Sequence, residues 1–225
     1  MTPALKRLLP LAASLALVGA SGAAQATVTV YTSLASFLAA VGTTGTDTFA
    51  GLSITGTTAT PINRNAGSFS YVGSVINNTP TATGTHTFFG GGTTADPFLA
   101  TNIAGDGMSF SGFSTGVVAA GGNFFASSAA GLYTAGSVTV TATDASGTIT
   151  QVITPTSMTA GSFLGFVSTT GVTAFTVTSV ISGASIWPSV DNLILAAAPV
   201  PEPATYAMLL AGVGLMGFVA RRRRA

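Results

Sequence analysis

The side chains able to do chemistry are few, and most of them sit in unpromising company. Ser114 lies in Gly112-Phe113-Ser114-Thr115-Gly116, which matches the G-x-S-x-G nucleophile elbow. That elbow requires a strand-to-helix turn, followed later in the chain by an acid and a histidine. The sole histidine, His86, precedes Ser114, and no amphipathic helix follows Gly116, so the match reads as a Gly/Ser-rich strand end. His86 itself lies in a Thr/Gly-rich stretch and is expected to face solvent. The remaining catalytic option is a carboxylate pair, which glycoside hydrolysis needs roughly 5–10 Å apart. Asp47, Asp96, Asp106, Asp144 and Asp191 each stand beside Gly, Thr, Ser, Asn or Pro. For Asp96, Asp106 and Asp144 that context points to side-chain capping of turns. With no cysteine, thiol nucleophiles, zinc–thiolate sites, iron–sulfur clusters and disulfide scaffolds are excluded. A non-catalytic protein is expected.

The elements that would position these residues follow from the charge distribution. Apolar residues make up 47% of the 225-residue chain and charged residues 6%. Lys6, Arg7 and Arg221 to Arg224 hold six of the seven cations. Between residues 27 and 198, Arg64 stands alone against the five aspartates, which gives −4. Phosphate neutralisation needs clustered Lys and Arg, so a nucleic-acid partner is excluded for this segment.

The two ends read as targeting signals. Lys6 and Arg7, an apolar run over 8–19 and the small residues ending in Ala24-Gln25-Ala26 predict a secretory signal over 1–26, cleaved after Ala26. At the other end, Pro199-Val200-Pro201-Glu202-Pro203 is followed by an uncharged stretch over 204–220 and then by Arg221, Arg222, Arg223 and Arg224. Those 17 residues predict a transmembrane helix of about 25 Å, with its arginines on the cytoplasmic side. The glycines of Gly212-Val213-Gly214-Leu215-Met216-Gly217 match a dinucleotide fingerprint, but they fall inside this apolar stretch and reflect helix composition.

Val200-Pro201-Glu202-Pro203, a glycine-bearing apolar helix and an arginine cluster together resemble the PEP-CTERM sorting tail of Gram-negative bacteria. The resemblance implies recognition by exosortase, an integral-membrane enzyme whose substrates are exported proteins associated with exopolysaccharide and biofilm. It places the sorting motif at Val200, Pro201, Glu202 and Pro203. The implied course is an inner-membrane-anchored precursor and then a surface or extracellular-matrix product.

The body, 27–198, is predicted to be all-β, a single β-sandwich with one short N-terminal helix. Leu34, Phe37, Leu38 and Val41 give the helical spacing, with Thr32 or Ser33 as cap and Gly42 as stop. Period-two alternation predicts strands over 137–143 and 147–153, joined by a turn at Asp144-Ala145-Ser146-Gly147. Further strands are expected over 68–76, 107–113, 123–126, 162–168, 172–180 and 190–195. Thr79, Thr81, Thr83, Thr85 and Thr87 recur with period two, but Pro80 and Gly84 make a loop or edge the better reading. Threonine supplies the wettable faces that charges do not.

Val30 to Ala40, Asp47-Thr48-Phe49-Ala50-Gly51-Leu52, Phe163 to Ser168 and Val190-Asp191-Asn192-Leu193 resemble the opening, first and closing strands of exported proteins that carry this tail. That resemblance implies a jelly-roll sandwich like those of carbohydrate-binding modules. It also implies a structural Ca²⁺ near the last strand, with Asp191 as a ligand and Asp47 as a second. Trp187 and Tyr133 are the candidate sugar-stacking residues, followed by Tyr71 and the pair Phe88-Phe89. Three roles follow: a passive or adhesive surface protein, a polysaccharide-holding module, and an ice or crystal-surface binder.

Overall fold

The computed structural model describes residues 27–180, 185–200 and 203–222, with side chains of the last segment from residue 207 onward. The signal segment over 1–26 and its cleavage residues Ala24 and Ala26 lie outside the described residues.

In chain order, β1 (Val28–Tyr31) leads into α1 (Leu34–Ala40), followed by β2 (Thr44–Asp47), β3 (Thr57–Thr58), β4 (Ile62–Ala66) and β5 (Phe69–Ile76). Next come β6 (Phe88–Gly92), β7 (Pro97–Thr101), β8 (Gly107–Ser111), β9 (Val117–Ser127) and β10 (Tyr133–Thr134). β11 (Val138–Asp144), β12 (Gly147–Ile153), β13 (Phe163–Ser168), β14 (Val172–Ser179) and β15 (Trp187–Ala197) complete the body, and α2 (Pro203–Arg222) follows. The strands form two antiparallel sheets. One has nine strands in the order β1-β13-β9-β15-β7-β6-β3, with β10 beside β9 and β2 beside β15; the other has six, β12-β11-β14-β8-β5-β4. The architecture is the expected all-β sandwich.

The core fills the space between the sheets. Phe110 and Phe175 of the six-stranded sheet stack at 4.6 Å, and Phe124 of the nine-stranded sheet meets Phe175 edge-on at 6.0 Å. β11 shows the logic of a half-buried strand. Val138, Val140 and Ala142 point inward and are buried, while Thr139, Thr141 and Thr143 point outward. β9 and β15 instead carry almost continuous buried runs, because both faces of their sheet are covered. Such strands lack alternation, so the sequence pattern caught only a four-residue piece of the eleven-residue β9.

Two further expectations change. α1 buries Phe37 alone, while Leu34 and Leu38 are 43% and 42% exposed. A helix of seven residues lying on a sheet anchors by one side chain, and Gly165 makes the seat. A Cβ at Gly165 would fall 2.3 Å from the Phe37 ring. The strand expected over 47–52 ends at Asp47. Phe49 adopts a left-handed φ of 55°, which breaks extended pairing.

Candidate functional site

Helix α2 departs from every rule that governs the body. From Ala207 onward its side chains are exposed, among them Leu209, Leu210, Leu215 and Phe218, and it is apolar on all sides. Arg221 and Arg222 form its last turn, where positive charge complements the helix dipole. Arg223, Arg224, Pro201 and Glu202 lie outside the described residues. Val200 is 82% exposed just beyond β15, and Pro203 opens the helix, the first-turn position that proline tolerates. Among the described residues, no helix is long and apolar enough to cross a membrane. This corrects the expectation of a transmembrane helix over 204–220. Thr205 and Tyr206 are polar, and the apolar run 207–220 rises only about 21 Å against a hydrocarbon core of about 30 Å. Gly212, Gly214 and Gly217 sit inside the helix with nothing within 4 Å of a Cβ placed there, which is no phosphate-binding turn.

The carboxylates of the body each have a different employment. Asp47 ends β2 and is 5% exposed. It accepts from Arg64 Nε at 2.6 Å and Nη2 at 2.8 Å, from the Tyr71 hydroxyl at 2.6 Å and from the Phe49 amide at 2.8 Å. Arg64 is on β4 and Tyr71 on β5, so this cluster clamps one sheet to the other. The hydrogen bond to Asp47 holds the Arg64 guanidinium even more firmly protonated than usual. Burial, reinforced by the Asp47 charge, raises the Tyr71 phenol well above its ordinary range. Sequence reasoning missed this cluster. Its signal was arithmetic: the only cation in a −4 segment is the natural partner for a carboxylate that must be buried.

Asp191 sits at a bulge of β15, where the register with β9 shifts between Asp191 and Ile194 and Asn192 takes a φ of 50°. Its oxygens accept from the Asn192 amide at 2.7 Å and from Asn192 Nδ2 at 2.8 Å. Burial pushes its pKa up to about 6, the Asn192 N–H opposes this and the Asp96 charge adds to it. Asp47 and Asp191 are thus held by separate donor sets. Among the described residues, no group of three or more His, Cys, Asp or Glu could hold a metal.

Asp144 is a turn residue. Its Oδ1 accepts from the Ser146 and Gly147 amides, and its Oδ2 reaches Ser168 Oγ on β13 at 2.7 Å. Hydrogen bonding, chiefly from the Ser146 hydroxyl, lowers it to about 2. Asp106 is fully buried, accepts from Thr79 Oγ1 at 2.7 Å and lies 2.6 Å from His86 Nδ1. His86 is therefore engaged with Asp106 and only partly exposed, which corrects its expected solvent-facing position. Ser114 Oγ accepts from the Ser70 amide at 3.2 Å, and the Ser114 amide donates to the Ser70 carbonyl at 2.9 Å. These bonds make Ser114 a strand-end tie.

The aromatic candidates lie on the outer face of the nine-stranded sheet. Trp187 donates Nε1–H to the Asn102 carbonyl at 3.2 Å and borders a hollow of about 60 Å³. Tyr133 donates its hydroxyl to the Pro155 carbonyl at 2.8 Å and packs beside Phe125. The hollow next to it, about 120 Å³ with Leu132 and Met158 on its rim, is well below the roughly 300 Å³ of a small-molecule pocket. Tyr71 and Phe88 are core residues.

The six-stranded sheet keeps an open outer face. Thr150, Thr141, Thr176, Ser109 and Ser74 form one row across five strands, register partner to register partner. Thr141 and Thr150 hydroxyls pair at 3.0 Å, and Thr143 and Thr148 at 3.2 Å. No strand of this sheet places a charged side chain outward. Arg64 on β4 shares the inward phase of Ile62 and Ala66, and Asp144 is buried.

No curated protein matches the chain. One solved structure similar to it is a family 6 carbohydrate-binding module studied for its binding sub-sites, at 19% identity and a TM-score of 0.29 over 56% of this chain and 94% of that one. A likeness at that score carries no argument about this chain. The comparison that does carry one falls on the tail: residues 199–224 match the PEP-CTERM protein-sorting motif.

Proposed function

We propose that this protein is a non-catalytic component of the cell surface or extracellular matrix in a Gram-negative envelope, sorted by exosortase and associated with exopolysaccharide. The observation that carries this reading is the sorting motif over 199–224, held on an exposed apolar helix apart from a self-contained sandwich. A helix that is apolar all round has no stable place in water, so it draws the exported precursor to the membrane, although it is not long and apolar enough to span it. The proline-rich sequence before it is poor in backbone donors, which gives a membrane enzyme a distinctive linear signal to read. The signal over 1–26, cleaved after Ala26, starts the chain on this route. Deleting Pro201-Glu202-Pro203 while keeping 204–225 tests the reading in cells with exosortase. The expected result is retention of precursor with the membrane fraction, while the parent chain yields a surface product lacking Arg221 to Arg224. Equal release of both chains would overturn it.

A second reading, a module that holds polysaccharide, is supported by the open hydroxyl face. A neutral face of threonine and serine suits a neutral, hydroxyl-rich polymer. Each hydrogen bond contributes only about 0.5–1.5 kcal/mol net, so grip would come from many rows at once. Retardation in gels containing a neutral polysaccharide, lost in Thr141→Lys/Thr176→Lys and insensitive to salt, is the expected behaviour. Equal mobility of parent and variant would remove this reading.

A further inference from the structure

Besides the short side strands β10 and β2, the two sheets end in four edge strands, and three of these are blunted. β3 is two residues long and β1 four. β4 carries Arg64, follows Pro61, and is crowded at its end by β2: a Cβ at Gly45 would overlap the Ala66 carbonyl. The fourth edge is β12. Its sequence, Gly147-Thr148-Ile149-Thr150-Gln151-Val152-Ile153, has no charge and no proline. It pairs with β11 without interruption from Val138↔Ile153 to Asp144↔Gly147, and among the described residues no strand or helix pairs with its other side. Ile149 and Ile153 pack against the core, while Thr148, Thr150 and Val152 are exposed, Val152 by 59%.

Sheet proteins ordinarily protect a long edge with a lysine, a proline, a bulge or a covering element. β12 has none of these. A seven-residue segment with five β-branched residues and neither charge nor proline is also a composition that favours strand-on-strand stacking. We propose that β12 is a self-association edge, pairing antiparallel with β12 of a second copy about a two-fold axis and joining two six-stranded sheets into one. A second copy fits because the edge is its own complement. Under two-fold symmetry each copy offers the same row of N–H and C=O groups, and no charge opposes its like. Greatest overlap centres the pairing on Thr150, with Gly147 opposite Ile153 and Thr148 opposite Val152. The open hydroxyl face then continues across the join. This proposal stands independently of the sorting tail.

The chain has no cysteine, which permits a clean test. The full chain is purified in a mild detergent that shields α2, so that the tail helix does not itself join copies. In the proposed pairing the two Thr150 Cα atoms lie about 4.5–5.5 Å apart, within the roughly 4.4–6.8 Å that a disulfide spans. Thr150→Cys is expected to form a covalent dimer under mild oxidation, while Asn63→Cys on the β4 edge remains monomeric. Light scattering should give a dimer for the parent chain and a monomer for Thr150→Lys. An equal mixture of Thr150→Lys and Thr150→Glu should restore the dimer, because the opposed charges then attract. Circular dichroism checks that each variant is folded. A parent chain that is monomeric, a Thr150→Cys chain that cross-links no faster than Asn63→Cys, or a Thr150→Lys chain that keeps the parent's mass overturns the proposal.

Discussion

The two sheets of one sandwich obey different rules. The nine-stranded sheet is covered on both faces. Its outer side is closed by α1 over Phe37, Phe163 and Ile194, and further along by Phe98 and Phe125 with Tyr133 and Met158 against them. The six-stranded sheet has one dry face and one wet face, and the wet one is built from hydroxyls. The difference shows how a body with 6% charge across the whole chain stays compatible with water. Apolar side chains are concentrated in a sheet buried twice over, and threonine, which favours strands as strongly as it tolerates solvent, finishes the other.

The largest effect expected from breaking this contrast is on the twice-buried sheet. Phe98→Ala should cost about 3–5 kcal/mol in urea unfolding even though Phe98 lies on the outer side of its sheet. A cost below about 1 kcal/mol would mean that this layer is not a second core. Next comes the clamp between the sheets. Asp47→Ala strands the half-buried Arg64 and the Tyr71 hydroxyl, and about 2–3 kcal/mol should be lost. The double substitution Asp47→Ala/Arg64→Ala should recover part of it, and strict additivity would deny the coupling.

Smaller effects separate two aspartates by pH. Asp191, on the nine-stranded sheet, binds its proton more tightly folded than unfolded, so its contribution to stability is lost as pH rises from about 4 to about 6. Asp144, in the six-stranded sheet's hairpin, binds its proton less tightly folded. Its contribution is present above about 4 and lost as pH falls towards about 2. Asp191→Asn should flatten melting temperature against pH in the upper window only, and Asp144→Asn in the lower only. Exchanged windows would contradict the two environments. Near neutral pH, Asp144→Ala should lower the melting temperature more than Asp191→Ala, because Asp144 ties a turn to a neighbouring strand. The reverse order would contradict that tie. The smallest effect belongs to the open face: Thr141→Val and Thr176→Val should each stay within about 0.5 kcal/mol of the parent.

The same contrast explains what could be read from residues alone. The β11–β12 hairpin was legible because Thr and Val alternate and Asp144 and Gly147 mark the turn. β6 and β7 were not, since Phe88-Phe89-Gly90-Gly91-Gly92 and Pro97 carry no alternation and break propensity rules. Gly91 serves there as the floor for the Phe98 ring, which a Cβ would meet at 2.2 Å. The sorting tail was legible because its meaning is linear: proline-rich, apolar, basic. The Asp47–Arg64–Tyr71 clamp and the Asp106–His86 contact join residues 17 to 24 positions apart by topology, which local pattern does not encode.

β15 is the last strand of the body and one of the most central, lying between β9 and β7 with β2 alongside. A chain delivered N-terminus first therefore holds its nine-stranded sheet in separate pieces, β2 among them unpaired, until residue 197 is through. Non-local pairing of this kind is slow and leaves sticky intermediates. The sorting motif begins at residue 199, so the strand that closes the sandwich and the signal that hands it on arrive almost together. A chain that ends before residue 197 therefore lacks the strand that joins its nine-stranded sheet, and the motif lies just beyond that strand.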